Sequence, residues 1–316
     1  IVKYLLQLQT HFHVLIGGRR SIKEISMSTF YNSERLKYNQ MNYNNDVELD
    51  NFCSQCLLVI NAVGPSFKIN DKIALHALRN NCHYIDIGGY GILRDLLKPY
   101  EKSIEAQKLC FIIGVGWMPG ISGVFSKTII ETHLNSPENT NFNIYYGAVD
   151  NWSYSSTYDL AASSMGKTRS YVYSHGKEIQ VSPFRYTHHK FFPFIGHKKI
   201  CMPSFDEQLT QLATSLKQIR KISTFIMLND YISMGKFMFI KIFYKHNLNK
   251  ATLMLQDDYQ RLVKKENKWG SVICQVSKIE PERKIDTFYY LYTKNNLLYL
   301  KSASNLNGNL NCSKEL

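Results

Sequence analysis

The sequence has no long hydrophobic run free of charge. Its most apolar stretch, Ile222 to Tyr244, contains Asp230, Lys236 and Lys241, and charges at such positions argue against a transmembrane span. No secretory signal is visible. The seven cysteines, an odd number, fall mostly in or beside apolar runs, as Cys82, Cys110 and Cys274 do, which suits reduced thiols in a cytoplasmic protein. A single CxxC, Cys53 to Cys56, precedes a strand where a redox motif would open a helix, and no second pair exists to complete a zinc site. His188, His189, His197 and Cys201 match no common zinc spacing, so no metal is expected. Acidic residues are few beside basic ones, 25 against 38, for a net charge of +13. The lysines are scattered among Asn and Tyr with no compact basic stripe, so no nucleic-acid partner is expected, and the charges within Ile222 to Tyr244 leave no membrane partner expected either.

What is present centres on Cys56 to Ser66, an apolar, partly β-branched run that stops at Gly64-Pro65. Pro65 has no amide hydrogen to continue a ladder, so the run reads as a buried strand ending in a tight turn. Ile69 to Asn81 follows with apolar residues at helical spacing, and His83 to Gly89 reads as a second short strand closed by glycines. Strand, helix and strand in about thirty residues make a parallel βαβ unit. Ligands of such sheets lie beyond the carboxyl ends of the strands, which directs attention to Asn61–Ser66 and Asp86–Gly89.

Earlier in the chain, Ile1 to Gln9 reads as the inside of a helix, with no initiator Met before it. His13 to Arg20 reads as a strand ending in Gly17-Gly18-Arg19-Arg20. At the tip of the second strand of a dinucleotide-binding domain, arginine accommodates the extra phosphate of NADP, because its planar fork donates two parallel hydrogen bonds. The alternative is a turn followed by solvated arginines. Ser21 and Glu24 would form a capping box ahead of Ile22 and Ile25. Tyr38 to Asp46 should hold the third strand, with Asn44, Asn45 and Asp46 either near an adenine or capping a helix over Val47 to Phe52. Ile92 to Gln107 reads as a helix and Leu109 to Val115 as a buried strand. Gly114 to Gly120 contains a lone G-x-G, which is not a pyrophosphate fingerprint; it reads as a rigid turn launching a helix over Ser122 to Thr132 and presenting Trp117.

Asn61 to Pro65, Cys82 to Gly89 and Gly114 to Gly120, in this order and spacing, resemble the saccharopine dehydrogenase family of NAD(P)-dependent oxidoreductases. The resemblance is fairly specific over Ile1 to Lys127 and vaguer beyond. It implies an α/β protein: a Rossmann-type parallel sheet, incomplete at its N-terminus, in residues 1–124, and a second α+β domain on a mainly antiparallel sheet in 125–294. The family's first strand and glycine-rich loop would precede the helix that Ile1 to Gln9 resembles; they are absent here, which suggests a fragment or a truncated gene product. Strand-like runs at Phe142–Val149, Ser170–Tyr173, Trp269–Val276 and Asp286–Tyr292 and a helix over Phe205–Ile219 suit an open sheet covered on one face. Residues 295–316, rich in Asn and Ser, are expected to be an irregular tail.

The resemblance also implies hydride transfer between a nicotinamide and the amine or imine carbon of an amino-acid-derived substrate, in a possible homodimer. NADP is favoured over NAD. Gly18, Arg19 and Arg20 would hold the 2′-phosphate, Asn61, Ala62, Val63 and Gly64 would line the dinucleotide cleft, and Gly116 would sit beside the nicotinamide. Trp117, Pro119, Gly120, Trp152, Tyr154 and Arg169 would face substrate, although local packing or capping is the preferred reading of such aromatic and serine positions. Asp86 is the one candidate for a proton-handling or orienting group, with turn capping as its alternative. Two other classes stay open: a Rossmann-like binding module without turnover, and a basic structural or nucleic-acid-associated protein.

Overall fold

The computed structural model describes the chain except residues 9–10, 22–33, 89–90, 134–139, 166–169, 193, 205–206, 217–218, 280–283, 295–296, 307–308 and 316. The protein is α/β and divides into two compact units, Ile1–Val115 and Gly116–Leu316.

The first unit is built from parallel strands. Helix α1 (Val2–Gln7) precedes β1 (Val14–Gly18), which pairs in parallel with β2 (Leu36–Gln40). After α2 (Asp46–Cys53), a separate parallel sheet holds β3 (Leu58–Asn61), β4 (His83–Asp86) and β5 (Phe111–Ile113), with β4 in the middle. Parallel neighbours require crossovers. Helices α3 (Ser66–Ile69) and α4 (Lys72–Arg79) supply one, α5 (Gly91–Leu97) and α6 (Glu101–Ala106) the other. Ile73, Ala74 and Ala77 recur at helical spacing on α4 and bury against Val59 and Tyr84 of the sheet and Leu49 and Cys53 of α2.

Two expectations change here, and a third is untouched. The helix expected over Ile92 to Gln107 is split by a 3-10 turn at Lys98–Tyr100, because Pro99 cannot donate the helical hydrogen bond. The third strand lies at Leu36–Gln40, earlier than Tyr38 to Asp46, and Asn45 caps α2 instead, its Oδ1 accepting from the Val47 and Glu48 amides (3.1 and 3.4 Å). The expected capping box at Ser21 depends on Glu24, which lies outside the described residues.

The second unit opens with α7 (Ile121–His133), β6 (Thr140–Val149) and α8 (Tyr154–Met165). There follow β7 (Ser170–Ser174), β8 (Lys177–Val181), α9 (Pro183–Tyr186), β9 (His188–Phe192), β10 (His197–Pro203) and α10 (Glu207–Ser215). The expected apolar stretch from Ile222 to Tyr244 resolves into β11 (Lys221–Leu228) and α11 (Tyr231–Phe243), parted by Asp230, whose carboxylate accepts from the Ser233 amide (2.8 Å). Helix α12 (Leu248–Val263) leads to four antiparallel strands, β12 (Trp269–Ile279), β13 (Lys284–Lys294), β14 (Leu297–Leu306) and β15 (Asn309–Glu315). The sheet order is β15-β14-β13-β12-β6-β11-β10-β9, with β7 and β8 branching from β11. Its one parallel pair along that path is β6 with β11.

Alternation along the strands gives this sheet two apolar faces. Ile144, Ile222, Val272 and Cys274 bury against α7 through Phe125, Ile129 and Ile130. Tyr145, Phe225, Ile273, Phe288 and Tyr290 form a second core on the opposite face with Phe192 and Cys201. Among the described residues no helix contributes to this second cluster. The expected boundary at 124/125 falls inside α7, whose side chains belong to the second unit's core. Residues 295–316, expected to be irregular, include β14 and β15: backbone pairing with β13 needs no apolar period in the sequence.

Candidate functional site

The candidate site is the pair of strand tips at the carboxyl ends of β3 and β4. Asn61 and Asp86, the last residues of the two strands, stand in register and are buried, 5% and 3% exposed. The Asp86 carboxylate collects three donors: Tyr84 Oη (2.6 Å) and Asn61 Nδ2 (2.8 Å) donate to Oδ2, and the Gly88 amide (2.8 Å) donates to Oδ1. Asn61 Nδ2 also donates to Tyr84 Oη (3.1 Å), while its Oδ1 accepts from the Val63 amide (3.0 Å). Burial, and then the neighbouring Asp86 charge, push the Tyr84 phenol far above its ordinary value, so it stays a neutral donor.

This network sets the shape of the tips. The Asn61 side chain folds the turn through Ala62 and Val63, both exposed, into the cis Gly64-Pro65 bond and the start of α3. A Cβ at Gly88 would lie 2.0 Å from Ser66 Oγ, so the approach of Ser66 to the β4 tip requires glycine there. Beside the tips lies a small pocket with room for about one water molecule, lined by Asn61, Ser66, Phe67, Asn70, Asp86 and Ile92 among others. Phe67, Asn70 and Ile92 were missed by sequence reasoning, which named Ser66 only as the end of the Asn61–Ser66 tip. The available signals were Pro65-Ser66 as a helix start and an Asn, the residue that tolerates the left-handed conformation found at Asn70 (φ 51°).

Gly18, Arg19 and Arg20 follow directly on β1. A Cβ on Gly18 would meet Tyr38 Oη at 2.8 Å, and that hydroxyl donates to the Arg20 carbonyl (2.5 Å). The glycine thus admits the tyrosine that holds the turn. Both arginines are exposed, and neither guanidinium has an acidic partner among the described residues.

The remaining expected residues belong to the second unit. Gly116 to Gly120 form a turn in which the Gly116 amide donates to the Pro119 carbonyl (3.0 Å) across a cis Met118-Pro119 bond, and the Ile121 and Ser122 amides donate back to Gly116 and Trp117 at the start of α7. Trp117 packs against that unit's core. The Trp152 ring stacks on Tyr259 (4.5 Å, 3°), and Tyr154 Oη donates to Asn249 Oδ1 (2.8 Å), so both residues fasten the start of α8 to α12. Arg169 lies outside the described residues.

Among the cysteines, burial pushes the Cys53 thiol up to about 12 and the Cys82 thiol to about 11, and Cys82 Sγ donates to the Cys53 and Cys56 carbonyls. These are unreactive packing groups. Among the described residues no three His, Cys, Asp or Glu side chains stand together as a metal site would need, and no helix is long and apolar enough to cross a membrane.

No protein-family model and no curated protein matches the sequence. Solved structures that match over most of the chain include the "putative oxidoreductase yvaA" of Bacillus subtilis (6% identity over 89% of this chain and 71% of that one, TM-score 0.37). Biliverdin reductase from Synechocystis sp. PCC 6803, solved with biliverdin and NADP+, is another (9%, 92% and 84%, TM-score 0.33). The "YPO2259 putative oxidoreductase" of Yersinia pestis is a third (7%, 92% and 82%, TM-score 0.34). Likenesses of this depth establish neither a family nor an activity.

Proposed function

We propose that the chain is an NADP(H)-dependent oxidoreductase of the saccharopine dehydrogenase type, acting on the amine or imine carbon of an amino-acid-derived substrate. The observation that carries this reading is the conjunction of two unpaired arginines at the carboxyl end of one parallel strand with the braced tips of two others. Arg19 and Arg20 would suit the 2′-phosphate, since both are exposed and neither has an acidic partner among the described residues. Ala62, Val63 and Gly64 would lie along the dinucleotide, on a turn fixed by Asn61. The bound nicotinamide would supply the hydride. Asp86 would serve as an orienting group: with three donors on its two oxygens it holds the tips in register, which keeps them preorganised.

The saturation of Asp86 favours a second reading, a nucleotide-binding module without turnover. Calorimetric titration with NADPH and NADH tests both. NADPH is expected to bind the more tightly, and replacing Arg19 and Arg20 by Ala is expected to weaken NADPH by about tenfold or more, the equivalent of one charged hydrogen bond, with little change for NADH. Equal loss for the two nucleotides would remove the phosphate assignment. Binding with no NADPH oxidation across amino acids paired with keto acids or aldehydes would select the module.

A further inference from the structure

Helix α11 has two apolar faces, and the fold uses one. Phe237 and Ile240 bury against Ala251 and Leu255 of α12. At 100° per residue, Tyr231, Ile232, Phe239, Ile242 and Phe243 share an arc of about 120° on the other side. All five are exposed, from 41% at Phe239 to 64% at Tyr231 and Phe243. Gly235 lies in the same arc with open space where a Cβ would stand. The patch is continuous: the Phe239 ring meets Phe243 (4.5 Å) and Tyr244 (5.6 Å), and Lys250 Nζ lies 5.9 Å from the Tyr244 ring. Leu253, 57% exposed, is one turn beyond Lys250.

Charge says what covers this face. From Tyr231 to Gln256 there is no Asp or Glu, while Lys236, Lys241, Lys245, His246 and Lys250 fall within it. Lys236 pairs with Asp257 and Asp258; Lys241, Lys245 and Lys250 make no ion pair among the described residues. Two copies meeting through α11 would bring like charges together, which opposes self-association there. Apolar side chains flanked at one end by the unpaired Lys245 and Lys250, with no acidic residue along the helix, suit a phase that is apolar beneath and negative above, and such a phase needs no shape complementarity.

We propose that α11 seats the second unit on an anionic membrane surface, with Ile232, Phe239, Ile242 and Phe243 entering the headgroup boundary and Lys245 and Lys250 meeting lipid phosphates and carboxylates. The helix lies along the surface: its 13 residues measure about 20 Å, short of the roughly 30 Å hydrocarbon core. The sequence expectation of no membrane partner rests on charges that exclude spanning, and these say nothing of surface contact.

The test is co-sedimentation of the full chain with vesicles of phosphatidylcholine alone or mixed with phosphatidylserine. Binding is expected to the mixed vesicles, falling as salt is raised, with little on phosphatidylcholine alone. Lys245→Glu with Lys250→Glu should weaken it by about fivefold or more for each position, and Phe239→Ser with Phe243→Ser by about tenfold or more. Far-UV circular dichroism checks the fold of each variant; should the aromatic pair misfold, the lysine pair carries the test. The proposal is overturned by a folded parent that ignores phosphatidylserine, or by a lysine variant that binds as the parent does. A dimer dissolved by the aromatic substitutions, without vesicle binding, would assign the face to a second copy and overturn it equally. None of these outcomes depends on whether the first unit binds a nucleotide.

Discussion

Asp86 joins two strands through one carboxylate. Each of its three contacts needs an acceptor, and an amide in its place offers only one accepting oxygen. Asp86→Asn is therefore expected to destabilise the protein by about 2–3 kcal/mol, leaving a buried donor facing a donor, whereas Tyr84→Phe should cost about 1–2 kcal/mol by removing a single bridging hydroxyl. Urea titrations of the two variants check the order. An Asp86→Asn protein as stable as the parent would mean that the carboxylate is not a strut and would return it to the role of proton-handling group. The sequence marked Asn61 and Asp86 as strand-end polar residues, but their mutual bonding was hidden, because the two stand 25 positions apart and the chain between must fold before the side chains meet.

At the scale of the element, α11 and α12 are fastened by ions rather than by apolar packing alone. Arg261 of α12 donates to both Asp230 oxygens (2.6 and 2.9 Å) and to Asp258. The hydrogen bonds from Arg261 hold the Asp230 carboxyl well below the usual carboxylate range, against the opposing effect of burial, and the Ser233 amide adds to them. A depressed folded-state value means that the contribution is fully present above the unfolded value near pH 4 and is lost as pH falls through and below it. The Asp230 side chain is 33% exposed, so solvent screening reduces the contribution to about 1–2 kcal/mol. Asp230→Asn should lose that amount at pH 7, and the deficit should narrow below about pH 4, measured by urea unfolding at both pH values. A deficit that stays constant with pH would place the effect in helix capping alone. The helix itself was legible in part: the apolar stretch was plain, and Asp230 inside it was taken only as an obstacle to spanning. Its service as the N-cap that separates β11 from α11 follows from a backbone conformation that composition does not display.

For the whole molecule, the cores fall on either side of Val115 and share no residue: one gathers side chains of the first unit, and the other three those of the second. Separate cores predict separate cooperativity, so differential scanning calorimetry should resolve two transitions, and only the first-unit transition should shift in Asp86→Asn. A single transition moved as a whole would show the units to unfold together. The sequence by itself determined the α/β class, the βαβ order around Asn61 and Asp86, and the positions of the strand tips, because apolar period and Gly-Pro punctuation are local properties of the chain. Tertiary structure alone decided the rest. It set the pairing of the Asn-rich C-terminal strands, the second apolar face of the large sheet, the use of Trp152 and Tyr154 as fasteners, and the exposed side of α11. Each depends on which neighbour a side chain or strand edge finds across the fold, and a periodic pattern says that a face is apolar without saying what, if anything, covers it.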